Sequence, residues 1–263
     1  MKIPFYKMHG AGNDFILIDD RSLDFPAHDT AFLSRIATRR TGIGCEGIIL
    51  IQPSRSADLR MRFFNPDGLE QDLCGNGARC LARLAFELGV APANMRIETM
   101  AGEVEAEVIG NQVRLLLPPA SDSRLGLQVE PAETVDFINT GVPHAVVRVA
   151  RLEHCDVDAR GRTLRHHPLF APKGTNADFL QLEKDASLSI RTYERGVEAE
   201  TLACGTGAAA AALVAHRHGW VQLPVTVHCR GGDLQVDLSG EQIVLAGGAE
   251  HIFKGEMEYG DRI

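Results

Sequence analysis

The chain has no Cys-x-x-Cys pair, few lysines, no basic excess and no long apolar run, and each shortage removes a class of function. Without Cys-x-x-Cys the usual spacing of a zinc site is missing. Cys74 and Cys80, six apart, would lie about 240° apart around a helix, on different faces. A formal charge of −8 over 263 residues argues against a nucleic-acid surface, which would need a basic patch. No apolar run approaches the roughly 20 residues of a membrane span. The N-terminal MKIPFYKMHG lacks the apolar core of a signal peptide, so a cytoplasmic, reducing location with no membrane partner is expected. In that setting the six cysteines, Cys45, Cys74, Cys80, Cys155, Cys204 and Cys229, are poor candidates for a disulfide framework. At least four of them are expected to be plain buried side chains. The five lysines, Lys2, Lys7, Lys173, Lys184 and Lys254, all fall outside any glycine-rich phosphate loop. Neither a lysine-bearing P-loop nor a full G-x-G-x-x-G after a strand is present.

What is present is the composition of a globular protein, 44% hydrophobic and 24% charged, together with a repeat. Residues 74–78 read CGNGA and residues 204–208 read CGTGA, 130 positions apart. Aligned without a gap at that offset, 70–115 and 200–245 are identical at 12 of 46 positions. Ordinary compositions would give about three or four by chance. The period is far too long for a solenoid and suggests two similar domains.

In the first unit LRMRFF (59–64) reads as a strand, and a loop leads to the pentad. ARCLARLAFELG then has helical spacing closed by Gly89. MRIETM, EVEAEVI and QVRLLL follow as short strands with turns at Ala101-Gly102 and Gly110-Asn111. The second unit repeats this with LSIRTYE, the pentad, AAAAALVAHRHG, VTVHCR, DLQVDL and QIVLA. The alanine run at 209–212 is a strong helix former that allows close packing and needs no functional reading. The expected fold is α/β of the α+β type: two pseudo-symmetric domains, each a mostly antiparallel sheet wrapped around a central helix, with the active site in the cleft between them. Hairpins rather than β-α-β crossovers are expected. The Pro-rich LPPASDSRLG (117–126) reads as the linker, giving domains 1–118 and 119–263, with a return of the last residues to the first domain left open.

In both units a cysteine stands where a loop becomes a helix. Unpaired N–H groups and the positive end of the helix dipole favour anions there. A thiolate at that position is stabilised and can act as a base near neutral pH. The N–H groups of Gly75, Asn76 and Gly77, and of Gly205, Thr206 and Gly207, can cradle a carboxylate. If the two helix starts face one cleft, a small anion lies between two dipoles with a thiol on either side. That suits inversion of a carbon that bears hydrogen, where one group removes a proton and another returns one to the opposite face. Pyridoxal phosphate usually stabilises an amino-acid carbanion; two helix dipoles in a dry site are a physical substitute.

The motifs MHGAGNDFILID (8–19), RRTGIGCEGIILI (39–51), FNPDGLEQDLCGNGARC (64–80), GVPH (141–144), GTNADF (174–179) and YERGVEAETLACGTGA (193–208) span the chain. By them it resembles the diaminopimelate epimerase family. The resemblance implies a cofactor-independent, metal-free epimerase that interconverts LL- and meso-2,6-diaminopimelate for lysine and peptidoglycan synthesis, working as a homodimer. It implies that Cys74 and Cys204 are the two bases. It implies that Asn13, Asn65 and Asn176 bind the distal end of the substrate. Arg195 would grip the distal carboxylate, Glu194 its ammonium, and His144 would stand near the reacting centre.

Two positions depart from the family pattern. Val142 stands where members commonly carry Asn, so a contact to the distal end is missing, and Asn139 or a backbone group is the expected substitute. Leu69 replaces a small polar residue. A racemase of histidine or of a proline derivative on the same fold therefore stays open as an alternative. So does a non-catalytic amino-acid-binding protein, which would need no cysteines. A structural zinc protein is disfavoured by the cysteine spacing.

Overall fold

The computed structural model describes residues 1–130 and 133–260. The chain forms two compact units, one of Met1–Leu115 with the residues from Gly248 onward, the other of Leu116–Gly247. The first repeat runs β1 (Lys2–Gly10), β2 (Asn13–Asp19), α1 (Thr30–Ala37), β3 (Gly47–Gln52), β4 (Leu59–Phe64) and β5 (Glu70–Gln71). It continues with α2 (Gly75–Glu87), β6 (Asn94–Thr99), β7 (Gly102–Ile109), β8 (Gln112–Leu117) and β9 (Ser121–Glu130). The second repeat keeps that order: β10 (Glu133–Asn139), β11 (Pro143–Arg148), α3 (Val157–Arg165), β12 (Asn176–Leu182), β13 (Leu188–Glu194) and β14 (Ala199–Thr201). Then come α4 (Gly205–Arg217), β15 (Val225–Cys229), β16 (Gly232–Ser239), β17 (Gln242–Gly248) and β18 (Glu250–Glu258).

The expected linker is largely a strand. Pro118 and Pro119 interrupt pairing only between β8 and β9, after which Leu127 lies opposite Val135 on β10. β18 does the same for the first unit, where it pairs antiparallel with β1 and sets Gly255 opposite Phe5. Each repeat thus ends in a strand that completes the sheet of the other unit.

Most neighbouring strands are antiparallel, but the expectation of hairpins without crossovers is overturned at four places. β2–β3, β4–β6, β11–β12 and β13–β15 are parallel pairs. In each case a helix lies between the two strands, and a helical crossover returns the chain to the end of the sheet it left, so the next strand must run parallel. Residue identity between the two repeats carries no information on strand direction.

The two long helices are bounded alike. Cys74 (φ −128°, ψ 116°) and Cys204 (φ −112°, ψ 113°) are extended N-caps. Gly89 and Gly219 end the helices at φ 66° and 72°. Their successors, Val90 and Trp220, donate back to the carbonyls of Ala85 and Ala215 in matching Schellman turns. The short helices α1 and α3 instead begin at Asp29 and Asp156, whose carboxylates accept from Phe32 N and Ala159 N. At Cys204 the sulfur instead draws weakly on the Gly207 N–H of its own helix. α4 is buried nearly throughout, with Ala208 to Ala212 all at 0% exposure. Only a methyl-sized side chain lets strands approach on every side, so a change such as Ala210→Leu would cost about 1–3 kcal/mol of overpacking.

Each sheet has one face against its short helix and the other against its long one. In the first unit Phe32 and Leu33 of α1 pack with Ile16, Ile48 and Leu50. In the second, Val157 and Leu164 of α3 pack with Ala145, Val147, Phe179 and Tyr193. Among the described residues, no helix is long and apolar enough to cross a membrane.

Candidate active site

On the face of the second sheet that looks toward α4, one end is polar, whereas Val146, Leu180, Leu188 and Ile190 farther along are apolar. Period-two alternation puts Asn176 and Asp178 of β12 on one side, and Thr192 and Glu194 of β13 on the same side. His144 on β11 lies opposite Asn176, and Asp178 lies opposite Thr192. His144, Asp178, Asn176 and Thr192 are all buried, the first two completely. Asp178 Oδ1 accepts from the Thr192 hydroxyl at 2.7 Å, and Oδ2 lies 2.7 Å from His144 Nδ1. A carboxylate only accepts, so the imidazole carries its proton on Nδ1 and donates it. His144 Nε2 lies 3.0 Å from Thr206 Oγ1, which lies 3.5 Å from Cys204 Sγ. Thr206 is anchored as well, since its carbonyl accepts from the Thr140 hydroxyl at 2.9 Å.

Gly207 is a glycine for a steric reason. A methyl group there would come within 2.3 Å of Asp178 Oδ1. Cys204 is 7% exposed. Burial drives its thiol well above the ordinary value, and the negative charges of Glu194 and Asp178 add to the effect. The Thr206 hydroxyl and the Gly207 N–H pull weakly the other way. The expectation that the helix start would favour a thiolate is therefore not met at Cys204, where burial outweighs it. Burial also raises the Glu194 carboxyl, against hydrogen bonds from Thr201 (2.5 Å) and Cys204 and the nearby His144.

Asn176 is heavily committed. Its Nδ2 donates to Pro143 O at 3.2 Å and its Oδ1 accepts from Arg195 N at 2.7 Å, fixing the turn that carries Arg195. The Arg195 guanidinium touches only the Lys173 carbonyl, at 3.4 Å, and no carboxylate among the described residues pairs with it. Asn139, the expected stand-in for the residue missing at Val142, spends its Oδ1 on Gly141 N at 3.0 Å.

In the first unit Cys74 is half-buried, and its helix rests on an apolar face. A methyl group on Gly77 would meet Ile49, Phe15 and Met61. Asn76 is buried and accepts from Nη2 of the fully buried Arg79 at 2.8 Å. The β1–β2 hairpin lies against this first turn at Gly10, where a Cβ would come 2.9 Å from the Asn76 carbonyl. That hairpin presents Asn13, whose Oδ1 is buried and lacks a hydrogen-bond partner among the described residues. Asn65 opens the β4–β5 loop: its N–H bonds Leu69 O and its carbonyl accepts from Gly68 N. Leu69 is 56% exposed. Gly75, Gly77, Gly205 and Gly207 take the first-turn positions expected of them.

Asp178, Thr192, Thr201 and Arg79 were not singled out from the sequence. The available signal was Asn-x-Asp and Thr-x-Glu spacing inside otherwise apolar strands. The other cysteines behave as core residues: burial pushes Cys45 to about 11 and Cys80 to about 12, and raises Cys155. Cys229 is half-buried. Among the described residues, no group of His, Cys, Asp and Glu is placed to hold a metal ion.

A family model described as diaminopimelate epimerase matches residues 5–117 and 137–252. The chain is 41% identical to the diaminopimelate epimerase of Aquifex aeolicus, over 96% of this chain and 97% of that one. It is 44% identical to that of Chlorobaculum tepidum, over 95% and 99%. Among solved structures it is similar to a phenazine biosynthesis protein of the PhzF family from Bacillus anthracis, with TM-score 0.75 and 18% identity over 98% and 100% of the two chains. At that identity the likeness bears on the fold alone.

Proposed function

The chain belongs to the diaminopimelate epimerase family, and on that premise we propose that it inverts one carbon of diaminopimelate by passing protons between Cys74 and Cys204. The reaction is that of a pyridoxal-phosphate-independent isomerase. The LL and meso isomers are its substrate pair. One cysteine, as thiolate, takes the Cα proton, and the other, as thiol, delivers one to the opposite face. The buried, proton-retaining Cys204 is the thiol of the resting pair, and the more exposed Cys74 is its base. The observation that carries this reading is the recurrence of one structure, a cysteine N-cap in extended backbone followed by two glycines, at the start of both central helices.

The helix-start N–H groups of Gly75, Asn76 and Gly77, and of Gly205, Thr206 and Gly207, hold the reacting carboxylate and the negative charge that develops beside it. Glu194 acts beside Cys204, to which it is hydrogen-bonded. Arg195, with no carboxylate of its own, takes the distal carboxylate of the substrate in a bidentate grip. The unpartnered Oδ1 of Asn13 accepts from the distal ammonium, with Asn65 beside it. Asn176 acts mainly by holding Arg195 and His144 in place. The same resemblance implies a homodimer in the cytoplasm, which light scattering and fractionation would test.

The decisive experiment is epimerisation of LL-diaminopimelate by the wild type, Cys74→Ser and Cys204→Ser. Each variant should lose nearly all turnover while keeping its fold. Wild-type turnover by either one would sink the mechanism. Epimerisation of proline or histidine in place of diaminopimelate would move the protein to the racemase alternative.

A further inference from the structure

We propose that Asp178 is a positioning residue for proton transfer, acting through His144 and Thr206 on Cys204. This deepens the two-cysteine reading and rests on it. The four side chains form one chain of hydrogen bonds inside the second unit: Asp178 Oδ2 to His144 Nδ1 at 2.7 Å, Nε2 to Thr206 Oγ1 at 3.0 Å, and Oγ1 to Cys204 Sγ at 3.5 Å.

The chemistry of the groups gives the chain a direction. Asp178 is held from its other oxygen by the Thr192 hydroxyl, which leaves Oδ2 for the imidazole. With Nδ1–H donated to Asp178, a neutral His144 offers a lone pair at Nε2 and accepts the Thr206 hydroxyl proton. Either atom can be the donor at the Cys204–Thr206 contact; with the Thr206 proton given to His144, its oxygen accepts the Cys204 S–H in place of Glu194. When the Cys204 S–H bond breaks, its proton forms an O–H bond on Thr206 as the Thr206 proton forms an N–H bond at His144 Nε2. The electron pair stays on sulfur. The products are a thiolate and an imidazolium paired with Asp178, and reversal restores the thiol. No proton leaves the protein and no net charge is created in the buried site. Burial that opposes loss of the Cys204 proton to solvent therefore need not oppose this internal transfer.

Three features show that the chain is built rather than incidental. Asp178 and His144 are 0% exposed, so a carboxylate and an imidazole have been taken out of water together. Gly207 leaves room for the carboxylate, since any larger side chain would occupy the place of Oδ1. Thr140 fixes the backbone of Thr206. The charged groups that act on Cys204 are Glu194 and Asp178, and those that act on Glu194 are His144 and Asp178.

The test uses the intact enzyme with diaminopimelate and three variants. Asp178→Asn removes the charge with little change of shape, Thr206→Val removes the hydroxyl but keeps the branch, and Thr206→Ser keeps the hydroxyl. Asp178→Asn and Thr206→Val should each lower kcat roughly 100-fold with KM within about threefold, and Thr206→Ser should stay within about fivefold of the wild type. In nitrogen-edited NMR the wild type should show a low-field His144 Nδ1–H, and Asp178→Asn should lose it. Wild-type kcat in a folded Asp178→Asn or Thr206→Val, or a loss in Thr206→Ser as deep as in Thr206→Val, would overturn the relay. If Asp178→Asn does not fold, the valine and serine pair decides alone. Inactive cysteine variants beside fully active relay variants would reject the relay and leave the two-cysteine reading standing. A wild type that does not act on diaminopimelate would reject the reading itself.

Discussion

The two helix starts carry nearly the same five residues, yet the sheets beneath them differ. Strand pairing makes the positions comparable: β2 meets β3 with Phe15 opposite Gly47, and β11 meets β12 with His144 opposite Asn176. Two residues on, Ile49 takes the place of Asp178, and Phe63, opposite it, the place of Thr192. Under Cys74 the sheet is thus Phe15, Ile49 and Phe63; under Cys204 it is His144, Asp178 and Thr192. The second glycine of each pentad reports the same contrast, meeting an isoleucine methyl in one unit and a carboxylate in the other. Both units keep a cysteine N-cap in extended backbone followed by two glycines. The side chains beneath differ: Cys204 stands in a chain of buried polar groups, whereas the first turn after Cys74 lies over Ile49, Phe15 and Met61.

That contrast can be broken most severely by copying the carboxylate into the apolar half. Ile49→Asp would bury a charge beside two phenylalanines with no imidazole or hydroxyl to meet it. A stability loss of roughly 3–5 kcal/mol is expected in urea unfolding. Next comes the glycine pair. Gly207→Ala drives a methyl against a fixed carboxylate and should cost about 1–3 kcal/mol along with activity. Gly77→Ala meets the flexible end of Ile49, at 2.7 Å, and should cost less in the same assay. Equal losses would mean that the two floors are equivalent.

A smaller effect separates the halves by pH. The Cys204 pKa is raised in the folded protein, so its contribution to stability is complete below the ordinary thiol value of 9.0 and fades as pH rises above it. Unfolding free energy should therefore fall on the alkaline side, and fall less in Cys204→Ala. The basic limb of kcat/KM should likewise lie above 9.0, because free enzyme loses activity when Cys204 gives up its proton. The smallest change expected is at the distal end. Val142→Asn should lower KM for diaminopimelate a few-fold and leave kcat unchanged.

The repeat was legible because glycine and cysteine at helix starts cannot drift without losing the turn. The central helices followed from it, and so did their Gly89 and Gly219 stops. Strand direction and the crossing of β9 were not legible, since pairing partners lie far apart in sequence and Pro118-Pro119 looks like a boundary; the return of the last residues, which the sequence left open, is made by β18. The motifs named Cys74, Cys204, Glu194 and His144, and the structure puts the last three in one cluster of the second unit. Asp178 was missed because an aspartate in an apolar strand gains meaning only when register sets it beside His144 and Thr192.

The most direct test of two bases on opposite faces follows LL-diaminopimelate in D2O by proton NMR at early conversion. The account predicts that the meso product carries deuterium at the inverted carbon while unreacted LL substrate keeps its proton, because the acid that delivers has exchanged with solvent and the base that removes acts on the other face. Meso product that retains its original proton would show a single base serving both faces and would contradict the account.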